Sequence, residues 1–284
     1  MLLSELKISF VEALQEHYPP QEINSFFYWL TQEYLDLTRF QVALAIDKQL
    51  DSEVLSKFEQ AIRRLKGYEP IQYIVGKTEF YGLEFKVNSH VLIPRPETEE
   101  LVDWILQEVA KKQKPLRILD IGTGSGCIAV TLAKHLPQTQ VWAIDVSMDA
   151  LEVARTNADL NDVKVSLLHQ NVLELEKLQG TFDVIVSNPP YVRESERTLM
   201  QDNVLRHEPA GALWVSDEQP LIFYEKITRL ASEALVPGGK LFFEINEALG
   251  TATARILKAS SFGWELRKDL FDKDRMLMGQ LIKE

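Results

Sequence analysis

The chain has 284 residues, 45% of them hydrophobic, so it is long enough for two domains and apolar enough for a sizeable core. Its 31 Lys and Arg against 42 Asp and Glu give a formal net charge of −11, which argues against broad nucleic-acid binding, because such binding relies on clustered cations. The single cysteine, Cys127, excludes a disulfide framework and a cysteine-rich zinc site, and the lack of a leader or a membrane-spanning apolar run favours a cytoplasmic protein with no membrane partner.

Residues 1–75 carry helical spacing and no strand alternation. Hydrophobic residues recur there at steps of three and four positions, as at Val54, Leu55, Phe58, Ile62 and Leu65. Pro19 and Pro20 separate an earlier helix from the next one. We therefore predict a small domain over residues 1–75 that is a bundle of short helices.

The pattern changes to short strands over residues 76–93. Thr78–Val87 alternates around Gly82, which predicts a β-hairpin, and Val91–Ile93 is typical of a further short strand. Hydrophobic spacing then predicts a helix over Glu97–Lys111. This segment therefore links the helical bundle to the C-terminal part of the chain.

Strands and helices alternate from residue 116 onward. The predicted strands are Arg117–Ile121, Gln140–Asp145, Lys164–His169, Asp183–Ser187, Lys240–Ile245, Trp264–Asp269 and Met276–Ile282. Apolar strands that alternate with helices predict a mainly parallel sheet covered on both faces, in an α/β domain over residues 76–284. The stretch from Pro189 to Gln219 lacks clear periodicity, and a connection of that length indicates a functional segment or a lid.

A glycine turn follows the first of these strands. Gly122, Gly124 and Gly126 have the spacing Gly-x-Gly-x-Gly, whereas dinucleotide sites use Gly-x-Gly-x-x-Gly. Asp120, two residues before the first glycine, would repel a pyrophosphate and favours a ligand with a positive centre and an amino group, such as S-adenosylmethionine. A tight turn with no ligand remains the alternative.

Asp145 ends the second predicted strand. A carboxylate at this position can accept hydrogen bonds from both hydroxyls of a ribose, and enzymes that bind NAD place an acid similarly. The residue also fits a cap for the next helix. Asp145 thus indicates a nucleoside ligand without deciding which one.

The tetrapeptide Asn188-Pro189-Pro190-Tyr191 follows the fourth predicted strand, at the sheet edge where the glycine turn lies. Two prolines fix φ and remove two N–H donors, which leaves a rigid rim of acceptors beside an aromatic ring. The Asn188 side-chain oxygen and the Pro189 carbonyl can each accept one hydrogen of a planar –NH2 group. A plain Pro-Pro turn is the alternative.

These motifs together resemble the class I S-adenosylmethionine-dependent methyltransferases that act on amino nitrogens. Three further segments resemble the HemK/PrmC family: Gly76–Val87, Val91–Glu99 and His207–Pro209. The resemblance spans about residues 65–284. It implies a Rossmann-like, seven-stranded, mainly parallel sheet with a small N-terminal helical domain for substrate recognition and a linking β-hairpin.

The family resemblance also implies an activity. Its members methylate the side-chain amide nitrogen (N5) of the glutamine in the Gly-Gly-Gln motif of class I peptide-chain release factors. Protein substrates of that kind would be the partners, S-adenosylhomocysteine would be the second product, and neither a metal nor direct nucleic-acid binding is expected.

The site residues are carried over from the matching positions. Those implied to bind S-adenosylmethionine are Gly122, Thr123, Gly124, Ser125, Gly126, Asp145, Asn171, Val172 and Asn188. Those implied to hold the glutamine are Asn188, Pro189, Pro190 and Tyr191, of which Asn188, Pro189 and Tyr191 are the predicted catalytic residues. Val172 departs from the bulky residue usual in the family and offers less surface for stacking.

Several assignments stay open on the sequence. Arg95 fits the cofactor's carboxylate, the substrate backbone or a salt bridge to Glu97 or Glu99, and Glu97 also fits a first-turn acid favoured by the helix dipole. Asp120 is a further candidate for the site. The rival functions are an amino-group methyltransferase acting on a nucleic-acid base, such as adenine N6, and a catalytically inactive adaptor.

Overall fold

The computed structural model of the protein describes residues 1–110, 112 and 114–282. The chain divides into two compact units. The first unit is Met1–Lys77 together with Gln201–His207, and the second is Thr78–Met200 together with the chain from Glu208 onward. No sequence pattern indicates that a segment beyond residue 200 belongs with the N-terminal helices.

The first unit is a helical bundle. Its N-terminal helices are α1 (Leu3–Leu14), α2 (Pro20–Leu35), α3 (Arg39–Leu44), α4 (Ser52–Lys66) and α5 (Ile71–Val75). Phe10, Phe27 and Phe58 are fully buried at its centre, and the Phe10 ring lies edge-on to the other two at 5.5 and 6.2 Å between centroids. Such aromatic pairs add specific geometry to the burial of apolar area.

The β-hairpin lies where the sequence predicts it. Its strands are β1 (Lys77–Phe80) and β2 (Leu83–Lys86), and the turn between them places Tyr81 and Gly82 at positive φ, +50° and +73°. The predicted strand Val91–Ile93 is wrong, because no strand is found there. Pro94 has no N–H to donate to a ladder, and the segment instead carries Val91 and Ile93 into the core.

One sheet organises the second unit. Its strands are β3 (Arg117–Ile121), β4 (Gln140–Asp145), β5 (Val165–His169) and β6 (Phe182–Ser187), and, after β7 (Val192–Arg193) and β8 (Trp214–Val215), β9 (Leu235–Glu244), β10 (Phe262–Lys268) and β11 (Asp274–Leu281). Within the described residues the order is β10-β11-β9-β6-β3-β4-β5. Strands β9, β6, β3, β4 and β5 pair in parallel, and β11 is antiparallel to β9 and β10. The predicted seven-stranded, mainly parallel sheet is confirmed.

Helices cover both faces of this sheet. They are α6 (Pro96–Val109), α7 (Cys127–His135) and α8 (Met148–Leu160), and, after α9 (Asp202–His207), α10 (Ile222–Ala234) and α11 (Gly250–Ala259). Ile118 packs into the core on the face that holds α6 and α7, whereas the adjacent Leu119 packs into the core with α10 and α11. Burial on both faces explains the continuous apolar runs of the parallel strands. Helix α6 ends at Val109, and Lys111, where the predicted helix ends, lies outside the described residues.

The predicted lid contains short elements. Strands β7 and β8 pair in parallel, with Val192 opposite Trp214, and 3-10 turns cover Glu194–Leu199 and Ala210–Ala212. Elements of two to six residues are too short for a hydrophobic period to show in the sequence.

Helix α9 belongs to the first unit. The His207 ring nitrogen Nε2 lies 2.8 Å from the Gly67 carbonyl oxygen, and the Arg206 guanidinium lies 5.6 Å from the centre of the Tyr68 ring. Helix α9 therefore packs within the first unit, although in sequence it lies in the middle of the predicted lid, residues 189–219. No helix in the described part of the chain is long and apolar enough to cross a membrane.

Candidate active site

The glycine turn joins β3 to α7, and its glycines have different structural reasons. Gly122, Gly124 and Gly126 all have positive φ, at +75°, +53° and +80°. A Cβ added to Gly122 or Gly124 would meet nothing within 4 Å, so the backbone there is open to a ligand. A Cβ on Gly126 would lie 3.1 Å from the Cβ of Ala154 in α8, so this glycine lets two helices approach. Gly126 does not line the cavity at this edge of the sheet, although it was predicted to bind the cofactor.

Asp120 lies beneath the turn rather than at its surface. Its side chain is fully buried, and the Thr123 hydroxyl donates to its Oδ2 at 2.6 Å. Burial raises the pKa of Asp120 to about 7, and its Oδ1 has no hydrogen-bond partner within the described residues. Asp120, a candidate site residue on the sequence, is therefore enclosed beneath the turn and does not line the cavity.

Asp145 is held at the cavity wall by backbone donors. The N–H of Gly124 donates to its Oδ2 and the N–H of Ser147 donates to its Oδ1, both at 2.9 Å. Each carboxylate oxygen can accept more than one hydrogen bond, so a ligand's hydroxyls still find acceptors there. The structure thus orients Asp145 and keeps it accessible from the cavity.

The residues after β5 supply another part of the wall. Asn171 accepts a hydrogen bond from the Leu173 N–H at 3.1 Å through Oδ1, and its Nδ2 donates to Glu174 at 2.8 Å. Val172 lines the cavity and packs against the core beneath it. The Asn171 amide is thus partly committed to its own loop, which limits what it can offer a ligand.

These segments enclose one cavity of about 450 Å³, a size typical of small-ligand sites. Its wall includes Gly122–Ser125, Asp145, Asn171, Val172, Asn188, Pro189 and Pro190. Apolar walls come from Ile144, Val146, Leu173, Phe223 and Ile227. Among the described lining residues, Arg95 is the sole Lys or Arg. The apolar walls and the carboxylate of Asp145 fit a nucleoside with an amino-acid tail.

The tetrapeptide follows β6 and is anchored from below. The Ser187 hydroxyl donates to the Ile121 carbonyl at 2.6 Å, which joins the ends of β6 and β3. Asn188, Pro189 and Pro190 line the cavity, but Tyr191 does not. The Tyr191 hydroxyl turns inward and donates to Glu244 Oε1 at 2.8 Å. Tyr191, predicted to hold the glutamine and to be catalytic, therefore lies behind the rim and supports it.

Thr98 and Glu244 complete this arrangement, and sequence reasoning missed both as site residues. The Thr98 hydroxyl donates to Glu244 Oε2 at 2.6 Å, and Asn188 Nδ2 donates to Thr98 Oγ1 at 3.3 Å. Burial raises the pKa of Glu244, an effect that both hydroxyl donors and the charge of Arg275 oppose. Desolvation, followed by the charge of Glu244, raises the pKa of Tyr191 well above its usual range. The sequence signal for Glu244 was its position as a single acidic residue at the end of the apolar strand β9.

Asn157 is a second residue that the sequence did not single out. It is fully buried in α8, and its Nδ2 donates to the carbonyls of Ser125, at 2.8 Å, and Lys86, at 2.9 Å. Its Oδ1 accepts the Lys86 N–H at 2.6 Å. One side-chain amide therefore fixes the glycine turn to the end of the hairpin.

Arg95 pairs with the lid rather than with its own helix. Its guanidinium contacts Glu208 Oε1 at 2.6 Å, whereas the salt bridge considered on the sequence was to Glu97 or Glu99. Glu99 instead accepts the Tyr81 N–H at 2.7 Å. The Glu208 side chain is 1% exposed, and burial raises its pKa while Arg95 opposes the rise. Glu97 lies half-buried in the first turn of α6 and does not line the cavity.

A metal centre has no support in the residues that the structure describes. No group of three or more His, Cys, Asp or Glu side chains there could hold a metal ion. Cys127 is buried and unpaired with another cysteine, and burial raises its pKa to about 12, as for a small core residue.

An open glycine turn after β3 and an acceptor rim after β6, at one edge of a sheet with this strand order, define a class I S-adenosylmethionine-dependent methyltransferase. Comparison with family models agrees. The Methyltransferase small domain matches residues 102–218, and the PrmC N-terminal domain matches residues 5–76.

Relatives at high identity specify the family. A release factor glutamine methyltransferase of Flavobacterium psychrophilum is 48% identical over 280 residues, which cover 98% of both chains. One of Bacteroides thetaiotaomicron is 45% identical and covers 94% of this chain and 95% of its own. The chain belongs to the release factor glutamine methyltransferase family. A methyltransferase structure from Pyrococcus furiosus, 19% identical over 82% of this chain and 100% of its own, has a TM-score of 0.53, which bears on the fold alone.

Proposed function

We propose that this protein transfers the methyl group of S-adenosylmethionine to the side-chain amide nitrogen of the glutamine in the Gly-Gly-Gln motif of class I peptide-chain release factors. The observation that carries the proposal is the position of Asn188 and Pro189, which line the same cavity as the open glycine turn. The full-length likeness to relatives named for this reaction supports it.

The cavity offers the contacts that the cofactor needs. The open backbone at Gly122 and Gly124 admits its amino-acid tail, Asp145 accepts from its ribose hydroxyls, and Val172 packs on its adenine. When bound, S-adenosylmethionine supplies a methyl group on a positively charged sulfur and leaves as S-adenosylhomocysteine. Methyl transfer of this kind requires no metal.

The substrate side of the cavity positions a weak nucleophile. An amide nitrogen reacts poorly because its lone pair is delocalised into the carbonyl. The Asn188 side-chain oxygen and the Pro189 carbonyl accept the two amide hydrogens and so direct the nitrogen into the cavity. Holding reactants in line is worth about 7–11 kcal/mol in well-oriented systems. The catalysis is therefore positioning and electrostatics by acceptors that need no reorganisation.

The first unit has a supporting role in this proposal. A single glutamine loop buries little surface, whereas stable protein interfaces bury more than about 1,000 Å². We assign the recognition of the release factor's remaining surface to the helical unit.

Mass spectrometry tests the function directly. A purified class I release factor, incubated with the protein and S-adenosylmethionine, is expected to gain the mass of one methylene on the Gly-Gly-Gln glutamine. The matched control is the same factor with that glutamine replaced by glutamate, which should gain nothing. Methyl transfer to an adenine-containing oligonucleotide instead would contradict the proposal and favour the nucleic-acid alternative. Failure to bind S-adenosylmethionine in calorimetry would favour an inactive adaptor.

A further inference from the structure

The amide of Asn188 is useful to a substrate only in one orientation. Its oxygen accepts hydrogen bonds and its nitrogen donates them, and the two ends have nearly the same shape. With the oxygen toward the cavity, the rim receives an –NH2 group. With the nitrogen toward the cavity, the rim would instead receive a carbonyl or a carboxylate.

A buried carboxylate sets the direction of the hydrogen bonds behind Asn188. Glu244 is 1% exposed, and the positive charge of Arg275 together with two hydroxyl donors favours its ionised form, which can only accept. The hydroxyls of Thr98, at 2.6 Å, and Tyr191, at 2.8 Å, must therefore both donate to it. Leaving either oxygen of a buried carboxylate without a donor would cost free energy.

The Thr98 hydroxyl links Glu244 to Asn188 and so fixes the hydrogen-bond direction at Asn188. Thr98 has a single hydroxyl proton, which Glu244 takes, so its oxygen can only accept from Asn188. The Asn188 nitrogen, 3.3 Å away, must therefore face Thr98. The oxygen is left as the end of the amide that faces the cavity Asn188 lines.

We propose that Glu244 is a positioning residue that acts through Thr98 to present the oxygen of Asn188 to the substrate, so that the site selects a glutamine amide over a glutamate carboxylate. The inference rests on the proposed function and deepens it. A carboxylate at the rim would meet the Asn188 oxygen and the Pro189 carbonyl and find no donor at either. Sites built to hydrogen-bond one group reject an analogue that leaves their polar groups unpaired.

Substitutions at Thr98 separate this role from packing. Thr98→Val keeps the shape and removes the hydroxyl, so the Asn188 amide can turn over. Thr98→Ser keeps the hydroxyl and is the matched control. Glu244→Gln has a donor as well as an acceptor, so it no longer imposes one direction on Thr98.

The kinetic test uses the full-length protein with two short peptides, one with Gly-Gly-Gln and one with Gly-Gly-Glu at the same place. Thr98→Val is expected to lower kcat for the glutamine peptide about ten- to hundredfold. For the same variant, the inhibition constant of the glutamate peptide should fall relative to the KM of the glutamine peptide. Glu244→Gln should change both in the same direction, and Thr98→Ser should restore both. Calorimetric affinity for S-adenosylhomocysteine should stay the same in all variants, which shows that the fold is intact.

A structural measurement separates this inference from the proposed function. The side-chain amide signals of Asn188 in nuclear magnetic resonance, assigned by their loss in Asn188→Asp, should shift in Thr98→Val and remain in place in Thr98→Ser. If the wild-type protein methylates no glutamine, the proposed function is wrong, but these signals still test the hydrogen bonds that link Glu244 through Thr98 to Asn188. Unchanged signals in Thr98→Val, or wild-type turnover and preference in both Thr98→Val and Glu244→Gln, would overturn the inference.

Discussion

Asn188 and Asp120 are both polar residues near the cavity, yet they lie in opposite environments. Asn188 lines the cavity and meets Thr98 on its other side, whereas Asp120 is fully enclosed beneath the glycine turn. Because of this difference, the first should affect turnover and the second should affect stability.

Truncation of Asn188 should impair transfer without removing the cofactor. Asn188→Ala deletes the side-chain acceptor and leaves the substrate's –NH2 short of one partner, a loss of about 1–3 kcal/mol. We expect a single-turnover methyl-transfer rate lower by about ten- to hundredfold and cofactor affinity close to wild type by calorimetry. A near-normal rate would remove Asn188 from the catalytic role.

Asp120 should make stability depend on pH. Its pKa is about 7 in the folded chain and near 3.8 in the unfolded chain, so the folded state holds the proton through the interval between. Stability therefore falls as pH rises from about 4 to about 7 and levels off above, at up to about 1.4 kcal/mol per pH unit. Asp120→Asn cannot titrate and lacks this loss.

The measurement is urea unfolding of both proteins at several pH values. The stability of Asp120→Asn relative to wild type should rise by about 2 kcal/mol between pH 5 and pH 7. The difference in unfolding free energy between the two proteins at a single pH is not diagnostic. The buried amide nitrogen of the new asparagine adds a cost to it that does not change with pH. Parallel curves for the two proteins would show that Asp120 stays charged.

The glycine turn, an element of five residues, combines a conformational demand with a packing demand. Gly122→Ala places a methyl at the cavity wall, where nothing lies within 4 Å, so its stability cost is the left-handed φ alone, about 1–2 kcal/mol. Gly126→Ala adds a contact of 3.1 Å to the Cβ of Ala154, so α7 and α8 must separate.

Gly122→Ala and Gly126→Ala form a matched pair, because both glycines have positive φ. Gly126→Ala should lose more stability in urea unfolding than Gly122→Ala by about 1 kcal/mol or more. Gly122→Ala should lose more affinity for S-adenosylhomocysteine in calorimetry, relative to its stability loss. Equal stability losses would mean that backbone strain, not helix packing, is the reason for Gly126.

Sequence reasoning succeeded where an element carries its own signal. The glycine spacing and Asn188–Tyr191 are continuous in the chain, and the parallel strands are apolar runs, so both the sheet and the cavity's main walls were predictable. Thr98 and Glu244 lie 146 residues apart and meet only in the fold, so no local pattern announces their hydrogen bond. The inward turn of Tyr191 escaped prediction for the same reason, because its partner is Glu244.

At the scale of the whole molecule, the proposed division of labour predicts different behaviour toward large and small substrates. Phe40 and Leu44 lie four residues apart on α3, so they share a face, and they are 72% and 73% exposed. Together they offer apolar area that a protein partner can bury.

The double variant Phe40→Ala with Leu44→Ala should therefore raise KM for an intact release factor several-fold. KM for a short Gly-Gly-Gln peptide should change far less, since the peptide does not reach the helical unit's share of the interface. Thermal unfolding should stay close to wild type, because both side chains are exposed. An equal rise of KM for both substrates would contradict a recognition role for this surface.

The position of helix α9 has a consequence for the order in which the two units fold during synthesis. During translation the helices up to residue 77 emerge first, but the segment Gln201–His207 that completes their unit follows only after the chain of β3 to β6. The sheet, in turn, waits for β9 to β11, which are synthesised later still. A nascent chain usually folds its N-terminal domain as a finished body. Here the two units reach completion in an interleaved order, and a fragment that ends at residue 77 would leave the ribosome without the His207 partner of its Gly67 carbonyl.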